Sequence, residues 1–329
     1  MRRVLPAFTL FLVAPLVAEF LLGNLPITWL FTLVLLAPMY GGGALLIREV
    51  VRRSGRGLGA MLVLGVAYGL VEEGLVTQSL FNPGYVGAHL LDQGFVPALG
   101  IAVPWTLFVV TLHAVWSTTV PIVLVEACVP DKRTTPWLRT PGIVVTVVLF
   151  VIGLVGDTAT TLGMDPFVAP LPQLVGVVVV AAGLMIAAFR LPAGRSGPMA
   201  ADRPVPPAVV LGVVALVAGA TFELASSALP TWPGVAVLVA VEAAVMILVA
   251  HWSRSNRWTP RHAVALAGGA LLTYAWHAFP EHPVVPVSPT TDLVGNAVFA
   301  AAALALLATA LRRSTTLRAQ ETTSVPVRT

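Results

Sequence analysis

"LGAMLVLGVAYGLVEEGLVTQSL", residues 58–80, is the stretch of sequence that decides how this chain folds. Residues 58–71 carry no charge, and the whole stretch exceeds the roughly 20 residues that a helix needs to cross the hydrocarbon core of a bilayer. Two adjacent acids, Glu72 and Glu73, follow within the same stretch. It therefore predicts a transmembrane helix that holds two carboxylates beyond its midpoint.

The composition of the whole chain agrees with this prediction. Of 329 residues, 57% are hydrophobic and 10% are charged, and the mean hydropathy is +0.90. Soluble domains carry about 25% charged residues. The predicted fold class is all-α, a polytopic transmembrane helix bundle of about ten spans, separated by breaks rich in Pro and Gly. The ten segments cover residues 4–22, 27–47, 58–80, 98–127, 141–157, 171–189, 207–228, 234–251, 262–279 and 292–311.

The basic residues indicate an orientation for these spans. If the N-terminus is cytoplasmic and the chain changes sides at each span, all 19 Lys and Arg residues fall on the cytoplasmic side, as the positive-inside rule requires. They occupy positions 2–3, 48–56, 132–139, 190–203, 254–261 and 312–328. We expect a multi-pass protein of the cell (cytoplasmic) membrane with both termini inside. The net charge of +4 then reflects topology and does not indicate nucleic-acid binding.

The two ends of the chain support a simple domain organisation. Residues 4–22 form an apolar run without a small-x-small cleavage site, so we expect a retained first helix rather than a secretory signal. Residues 1–313 are predicted to form a single transmembrane helical domain, and the polar residues 314–329 a disordered cytoplasmic tail. Cys128 is the only cysteine, which excludes an internal disulfide and a multi-cysteine metal site.

Most of the intramembrane polar residues fall in the half of the bilayer away from the basic residues. An ionised acid at mid-membrane costs roughly 2.5–3.5 kcal/mol on insertion scales, so hydrogen bonds, water, protons or a cation must offset it. We therefore expect a polar cavity that opens toward the outer face. Glu49 and Glu126 instead approach the arginines of the inner face. The residues assigned to the middle and outer half are Glu19, Glu72, Glu73, His113, Asp157, Glu223, Glu242 and His277.

Helical spacing places part of this set on defined faces. Gly65, Gly69 and the Glu72–Glu73 pair share one side of the third helix, since positions i, i+4 and i+7 align. Glycines at such positions allow a neighbouring helix to approach closely. His113 and Ser117 lie on one stripe of the fourth helix. The spacing thus predicts a tight contact next to the acid pair.

A purely structural interpretation remains open for the single residues. Glu19, Glu242 and Asp157 can each form an ordinary hydrogen bond between helices, and His277 can bond Thr273 or Glu281. The Glu72–Glu73 pair favours a functional role, because two adjacent acids are an inefficient way to join helices.

The stretch "YGLVEEGLVTQSLF", followed by an intramembrane His113, resembles the CPBP family, the CAAX-processing and bacteriocin-protection intramembrane proteases. Their motifs are EExxxR, then Phe and His four apart, then His and Asn four apart. In that family a glutamate and histidines activate a water that attacks a peptide bond within the membrane. The resemblance covers about the third and fourth helices. It implies Glu72 and Glu73 as the acid pair and His113 as the second-motif histidine.

The chain departs from that pattern at three places. Thr77 stands where the first motif has Arg, and Phe108 lies five residues before His113, with Val109 at the expected position. The third motif is missing, and His277 is a loose substitute for its histidine. The chain thus resembles a divergent member of the CPBP family.

Three functions follow as hypotheses. The first is a hydrolase in which Glu72 or Glu73 is the general base, His113 positions the water or stabilises the oxyanion, and His277 assists. Its substrate would be a membrane-bound peptide or protein. The second is a proton- or cation-coupled transporter, and the third a non-catalytic membrane scaffold. The sequence contains no HExxH, GxSxG or P-loop motif, and leaves the need for a metal or cofactor open.

Overall fold

The computed structural model describes residues 4–191 and 202–323, and of residues 315–323 the backbone alone. Ten helices follow one another along these ranges, so the predicted all-α fold class is confirmed. We number them α1 Val4–Leu21, α2 Ile27–Arg53, α3 Leu58–Val76, α4 Val103–Cys128, α5 Thr140–Met164, α6 Leu171–Arg190, α7 Ala208–Ala228, α8 Thr231–Ser253, α9 Pro260–His277 and α10 Pro289–Thr323.

Nine of the ten helices in the described ranges are long and apolar enough to cross a membrane. The exception, α9, spans 18 residues and packs between α7 and α10. Leu271, Thr273 and Tyr274 on this helix are each 0% exposed. Because protein rather than lipid surrounds much of α9, this helix tolerates more polar residues than a lipid-facing span.

The predicted fourth segment began too early. Residues 98–102 are not helical, because the chain forms a short antiparallel hairpin of β1 Phe95–Val96 and β2 Ile101–Ala102 before α4 starts. Gly94 and Gly100 have φ values of +63° and +65°, a conformation that favours glycine. Pro104 then occupies the first turn of α4, where its missing N–H costs nothing.

The predicted close contact beside the acid pair is present between α3 and α4. A methyl group on Gly65 would lie 2.7 Å from Thr118 Oγ1 and 2.8 Å from Ala114 Cα. A methyl group on Gly69 would lie 2.9 Å from His113 Cβ. The glycines therefore bring the backbone of α3 directly against the face of α4 that carries His113.

Large apolar surfaces remain exposed on the outer helices. Val144, Val148 and Ile152 lie along one face of α5 and are 56%, 52% and 57% exposed. Met246 and Ile247 on α8 are similarly exposed. Exposed apolar faces of this extent are suited to hydrocarbon rather than water.

One end of the bundle is tied together by Arg48, which is 0% exposed. Its guanidinium donates to Glu49 Oε1 at 2.5 Å and to Glu126 Oε1 at 3.0 Å. Three more bonds reach the backbone carbonyls of residues 132, 133 and 135 after α4. The prediction that Glu49 and Glu126 meet arginines is confirmed.

The loops that follow α2 and α4 meet the last turn of α6 at this same end. Arg53 donates to the carbonyl of Leu138, and Arg56 to the carbonyls of Ala188 and Phe189. The alternation inferred from the basic residues therefore agrees with the packing of these loops. Which face is cytoplasmic stays a prediction.

The predicted domain organisation concerns the two ends of the chain, which are helices α1 and α10 in the described residues. Helix α1 contributes Leu10, Ala14 and Phe20 to the core, each 0% exposed. Helix α10 continues past residue 313 to Thr323, into the segment predicted as a disordered tail. Residues 1–3 and 324–329 lie outside the described residues, and the division of the chain at residue 313 stays a prediction.

The glycine contact predicts the effect of one added methyl group. Gly65→Ala should destabilise the protein by about 1–3 kcal/mol, because the methyl overlaps the backbone of α4. Gly156→Ala on α5 is the matched control, since no atom lies within 4 Å of its added methyl. Thermal unfolding in detergent, followed by tryptophan fluorescence, compares the two. Equal midpoints for the two variants would contradict the proposed tight contact.

Candidate functional site

Four helices change to π-helical geometry where they approach one another. The π-helical turns in the described residues are Leu16–Leu21, Ala37–Gly41, Glu72–Val76 and His113–Thr119. They contain Glu19, Tyr40, the Glu72–Glu73 pair and His113. Such turns are rare and occur frequently at functional sites, because the extra residue re-aims side chains.

Prolines accompany three of these four turns. Pro15 immediately precedes the first, Pro38 lies within the second, and Pro121 follows shortly after the fourth. A proline nitrogen has no hydrogen to donate into the preceding turn, so the normal i→i−4 pattern is interrupted. In α3 the turn closes instead through a bond from the Thr77 amide to the Glu72 carbonyl at 2.9 Å.

The structure brings together three of the four predicted site residues. His113 lies between the two glutamates, with Nε2 2.8 Å from Glu73 Oε1 and Nδ1 3.2 Å from Glu72 Oε2. Glu72, Glu73 and His113 are 1%, 6% and 2% exposed. We call these three residues the acid–histidine cluster.

Glu73 is held by several donors. His113 contacts Oε1 of this carboxylate. The other oxygen, Oε2, accepts hydrogen bonds from the hydroxyls of Thr77, at 3.0 Å, and Ser79. Trp105 Nε1 donates to the Ser79 hydroxyl at 3.0 Å and so supports it. The Glu73 carboxylate is consequently fixed in one orientation, as an oxygen acceptor with satisfied lone pairs.

Glu72 is held differently. Its Oε2 has no hydrogen-bond partner among the described residues, although His113 Nδ1 is only 3.2 Å away. That nitrogen is paired with Ser117 Oγ at 3.1 Å. The Tyr68 hydroxyl is likewise buried and approaches the Glu72 carboxyl without a hydrogen bond of ordinary geometry, and the Tyr68 ring meets the His113 ring edge-on. A buried carboxylate oxygen without a hydrogen-bond partner is costly. A further hydrogen-bond donor or a cation on this side of the cluster would therefore be stabilising.

A further acid extends this polar region. Tyr40 donates to Glu19 Oε1 and Asn24 to Glu19 Oε2, both at 2.5 Å. The Tyr40 ring stacks on His113 with centroids 6.0 Å apart. Glu19 is therefore paired within the protein, as the structural interpretation allows, and lies next to the cluster through Tyr40.

The expected cavity opening toward the outer face is not what surrounds the acid pair. The cluster side chains are almost wholly buried, and Glu73 and His113 bond to each other. Hydrogen bonding within the protein, one of the four ways in which the sequence allows the burial of the acids to be offset, holds Glu73 here. Access to the cluster therefore requires the helices to move.

The segment after α3 covers one side of the cluster. Burial raises the pKa of the Tyr85 hydroxyl, and the neighbouring Glu73 charge raises it further. Tyr85 is accordingly a neutral hydroxyl at physiological pH. Asn82 accepts bonds from the amides of Gly84 and Tyr85, which fixes this turn.

His277, the fourth predicted site residue, forms a separate group. Its Nε2 lies 3.5 Å from Glu223 Oε2 and 3.3 Å from Glu281 Oε1. Glu223 Oε1 and His277 Nδ1 are buried without hydrogen-bond partners in the described protein. Glu281 also lines a crevice of about 270 Å³ near the start of α10. The predicted assistance of His277 at the acid pair has no contact to support it.

The remaining predicted acids have simpler surroundings. Glu242 on α8 accepts a hydrogen bond from Thr111 on α4 at 2.8 Å, an ordinary link between helices. Three residues that the sequence did not predict for the site also contact the cluster: Tyr40, Tyr68 and Ser79.

The three residues of the acid–histidine cluster could also hold a metal ion. Glu72, Glu73 and His113 each offer one ligand atom, and the three atoms lie within 4.8 Å of one another. Imidazole nitrogen and carboxylate oxygen together suit first-row divalent metals such as Zn²⁺.

The fold and site define a polytopic helical membrane protein with a buried acid–histidine cluster. The sequence model described as an uncharacterized membrane protein family matches residues 8–321. The chain belongs to that family. No curated protein and no solved structure matches it. The family match shows that the chain is a membrane protein. It does not show a relationship to the CPBP family.

The unequal bonding of the two glutamates predicts unequal effects of isosteric amides. Glu73→Gln should lower the free energy of unfolding by about 1–3 kcal/mol, since an amide cannot accept from all its present donors. Glu72→Gln should leave stability unchanged or raise it, because the carboxylate oxygen that it replaces, Oε2, accepts no hydrogen bond from the described residues. Thermal unfolding of both purified variants tests this. A larger loss for Glu72→Gln than for Glu73→Gln would show that the assignment is wrong.

Proposed function

We propose that this protein is a glutamate-dependent intramembrane hydrolase, similar in its chemistry to the CPBP proteases, that cleaves a membrane-bound peptide or protein. The observation that carries the proposal is the placement of His113 between Glu72 and Glu73 at 3.2 and 2.8 Å. Paired acids and a histidine within hydrogen-bond reach are the groups that general acid–base hydrolysis needs.

The two carboxylates would take different roles. Glu73, fixed by three side-chain donors, orients His113 through Nε2. Glu72, with an unpartnered oxygen, is free to accept a proton from water. Environments that differ in this way commonly separate the roles of paired carboxylates.

The proposed reaction is a peptide hydrolysis. Glu72 takes a proton from water while the water oxygen bonds to the scissile carbonyl carbon, and His113 or the Tyr68 hydroxyl stabilises the resulting oxyanion. The C–N bond then breaks, and the proton held by Glu72 passes to the leaving amine. Water and peptide are consumed, and a carboxylic acid and an amine are released.

The departure at Thr77 fits this arrangement without the arginine of the CPBP motif. The Thr77 hydroxyl donates to Glu73 Oε2 at 3.0 Å. A neutral donor thus supports the acid from the position where that family has a cation. His277 has no part in the proposed mechanism, because its contacts are with Glu223 and Glu281.

We also propose that the protein lies in the cell membrane with both termini cytoplasmic. The support is the distribution of the 19 Lys and Arg residues among alternate connections. In that orientation α3 runs outward, so the acid–histidine cluster is nearer the outer leaflet. A substrate would then enter laterally from the bilayer.

Loss of the cluster should abolish cleavage. We expect new peptide termini near transmembrane segments in membranes of cells that express the wild type, and a loss of about 10²–10⁴-fold in their formation rate for Glu72→Gln or His113→Gln. Quantitative labelling of protein N-termini measures this. Glu242→Gln is the matched control, because it replaces an intramembrane acid bonded only to Thr111 among the described contacts.

Two outcomes would count against a hydrolase. The first is a set of termini that does not differ between cells with and without the protein. The second is unchanged formation of those termini in both cluster variants, provided that the variants are present in the membrane at wild-type levels.

A proton- or cation-coupled carrier is the second candidate, and the group of Glu223, His277 and Glu281 favours it. This group holds two unpartnered buried polar atoms and adjoins a crevice of about 270 Å³. Unpaired intramembrane acids commonly mark ion pathways.

The carrier function predicts uptake driven by a pH gradient. Proteoliposomes should accumulate a cation when the gradient is imposed, and Glu223→Gln should reduce the initial rate at least tenfold while Glu242→Gln leaves it unchanged. A panel of alkali, alkaline-earth and organic ammonium ions provides the substrates. Rates equal to those of empty liposomes across the panel would exclude this function for these cations.

A further inference from the structure

We infer that the acid–histidine cluster binds one divalent transition-metal ion between Glu72 and His113, with Glu73 as the partner that orients the histidine. The inference deepens the proposed hydrolase and rests on it for the role of the ion, although the binding itself does not. It is argued from distances, hydrogen-bond partners and charge.

The first argument is the spacing of the two nearest ligand atoms. Glu72 Oε2 and His113 Nδ1 are 3.2 Å apart without forming a hydrogen bond. Bond lengths of about 2.0–2.2 Å to zinc, at tetrahedral angles, place neighbouring ligand atoms about 3.4 Å apart. The two atoms therefore stand close to the separation that a shared metal would impose.

The second argument is the other ring nitrogen. Metal-bound histidines usually donate their second N–H to a carboxylate or carbonyl, which fixes the tautomer. His113 Nε2 lies 2.8 Å from Glu73 Oε1, and Thr77 and Ser79 hold the opposite oxygen of that carboxylate. With the proton on Nε2, the lone pair of Nδ1 points away from Glu73 and is available to a metal.

The third argument is the unsatisfied side of the cluster. Glu72 is 1% exposed, and its Oε2 has no hydrogen-bond partner in the described protein. The Tyr68 hydroxyl, on the preceding turn of α3, approaches the Glu72 carboxyl without a hydrogen bond of ordinary geometry. A cation bound here would use the free oxygen, and its bound water could meet the tyrosine hydroxyl.

The charge of the acid–histidine cluster also favours a bound cation. The ion pairs that the structure describes for Glu72 and Glu73 are both with His113. One imidazole offsets two buried carboxylates only in part, even when it is protonated. A divalent ion removes that excess, which is otherwise expensive in a medium of low dielectric constant.

Binding requires one local change. Ser117 Oγ now lies 3.1 Å from His113 Nδ1 and would give up this contact to the ion. In the metal-bound form of the proposed hydrolase the ion would activate the bound water in place of Glu72, which would serve as a ligand instead of as the general base.

The test uses the purified full-length chain in nanodiscs, after removal of any histidine tag, with Co²⁺ as the probe. We expect one Co²⁺ per chain, with visible absorption typical of nitrogen and oxygen ligands. Glu72→Gln should abolish this binding, and Glu73→Gln should weaken it about 10–100-fold, as loss of an orienting partner does. Glu242→Gln is the control and should bind like the wild type.

X-ray absorption of the wild-type Co²⁺ complex provides a reading that needs no variant. One imidazole among the ligands supports the inference, and none overturns it. Failure of the wild type to bind Co²⁺, or equal binding by Glu72→Gln, also overturns it. Co²⁺ binding without peptide cleavage keeps the metal site and rejects the hydrolase. Cleavage by protein that binds no Co²⁺ rejects the metal site and keeps the hydrolase.

Discussion

The close packing of α3 against α4 is the constraint on which the rest of the site depends. Gly65 and Gly69 let the two backbones approach until an added methyl would overlap Ala114 and His113. At this distance His113 reaches both Glu72 and Glu73 with its two ring nitrogens. A larger separation would leave two adjacent carboxylates in an apolar bundle without a shared partner, which would be strongly unfavourable.

The π-helical turns complete what this packing begins. Each of four helices changes pitch at the level of the cluster, and each presents a polar side chain there. In a regular α-helix Glu72 and Glu73 would project about 100° apart. The wider turn adjusts both toward His113, so the local backbone and the side-chain chemistry are parts of one arrangement.

The sequence predicted the helices well because hydrophobic length and flanking breaks report directly on what a bilayer requires. It also predicted the contact at Gly65 and Gly69 and the meeting of Glu72, Glu73 and His113. It misjudged residues 98–102, where apolar side chains belong to a hairpin rather than a helix. Length and hydropathy alone do not separate these two possibilities.

The surroundings of the cluster were harder to predict. His277 joins Glu223 and Glu281 rather than the acid pair, because helix order in sequence does not determine which faces meet in space. Tyr40 and Tyr68 look like ordinary aromatic residues in apolar runs. The positions of Pro15, Pro38 and Pro121 were the available signal, since an intrahelical proline often marks a change in hydrogen bonding.

The Arg48 network has a mechanical consequence for the whole bundle. Five hydrogen bonds and a stack on the Trp137 ring join α2, α4 and the following loop at the end opposite the cluster. Buried ion pairs and hydrogen bonds of this kind oppose the separation of the helices, so we expect helix displacement to be smallest at this end. We therefore expect a motion that admits water or a ligand to Glu72 to be smallest near Arg48 and to grow toward the opposite end of the bundle.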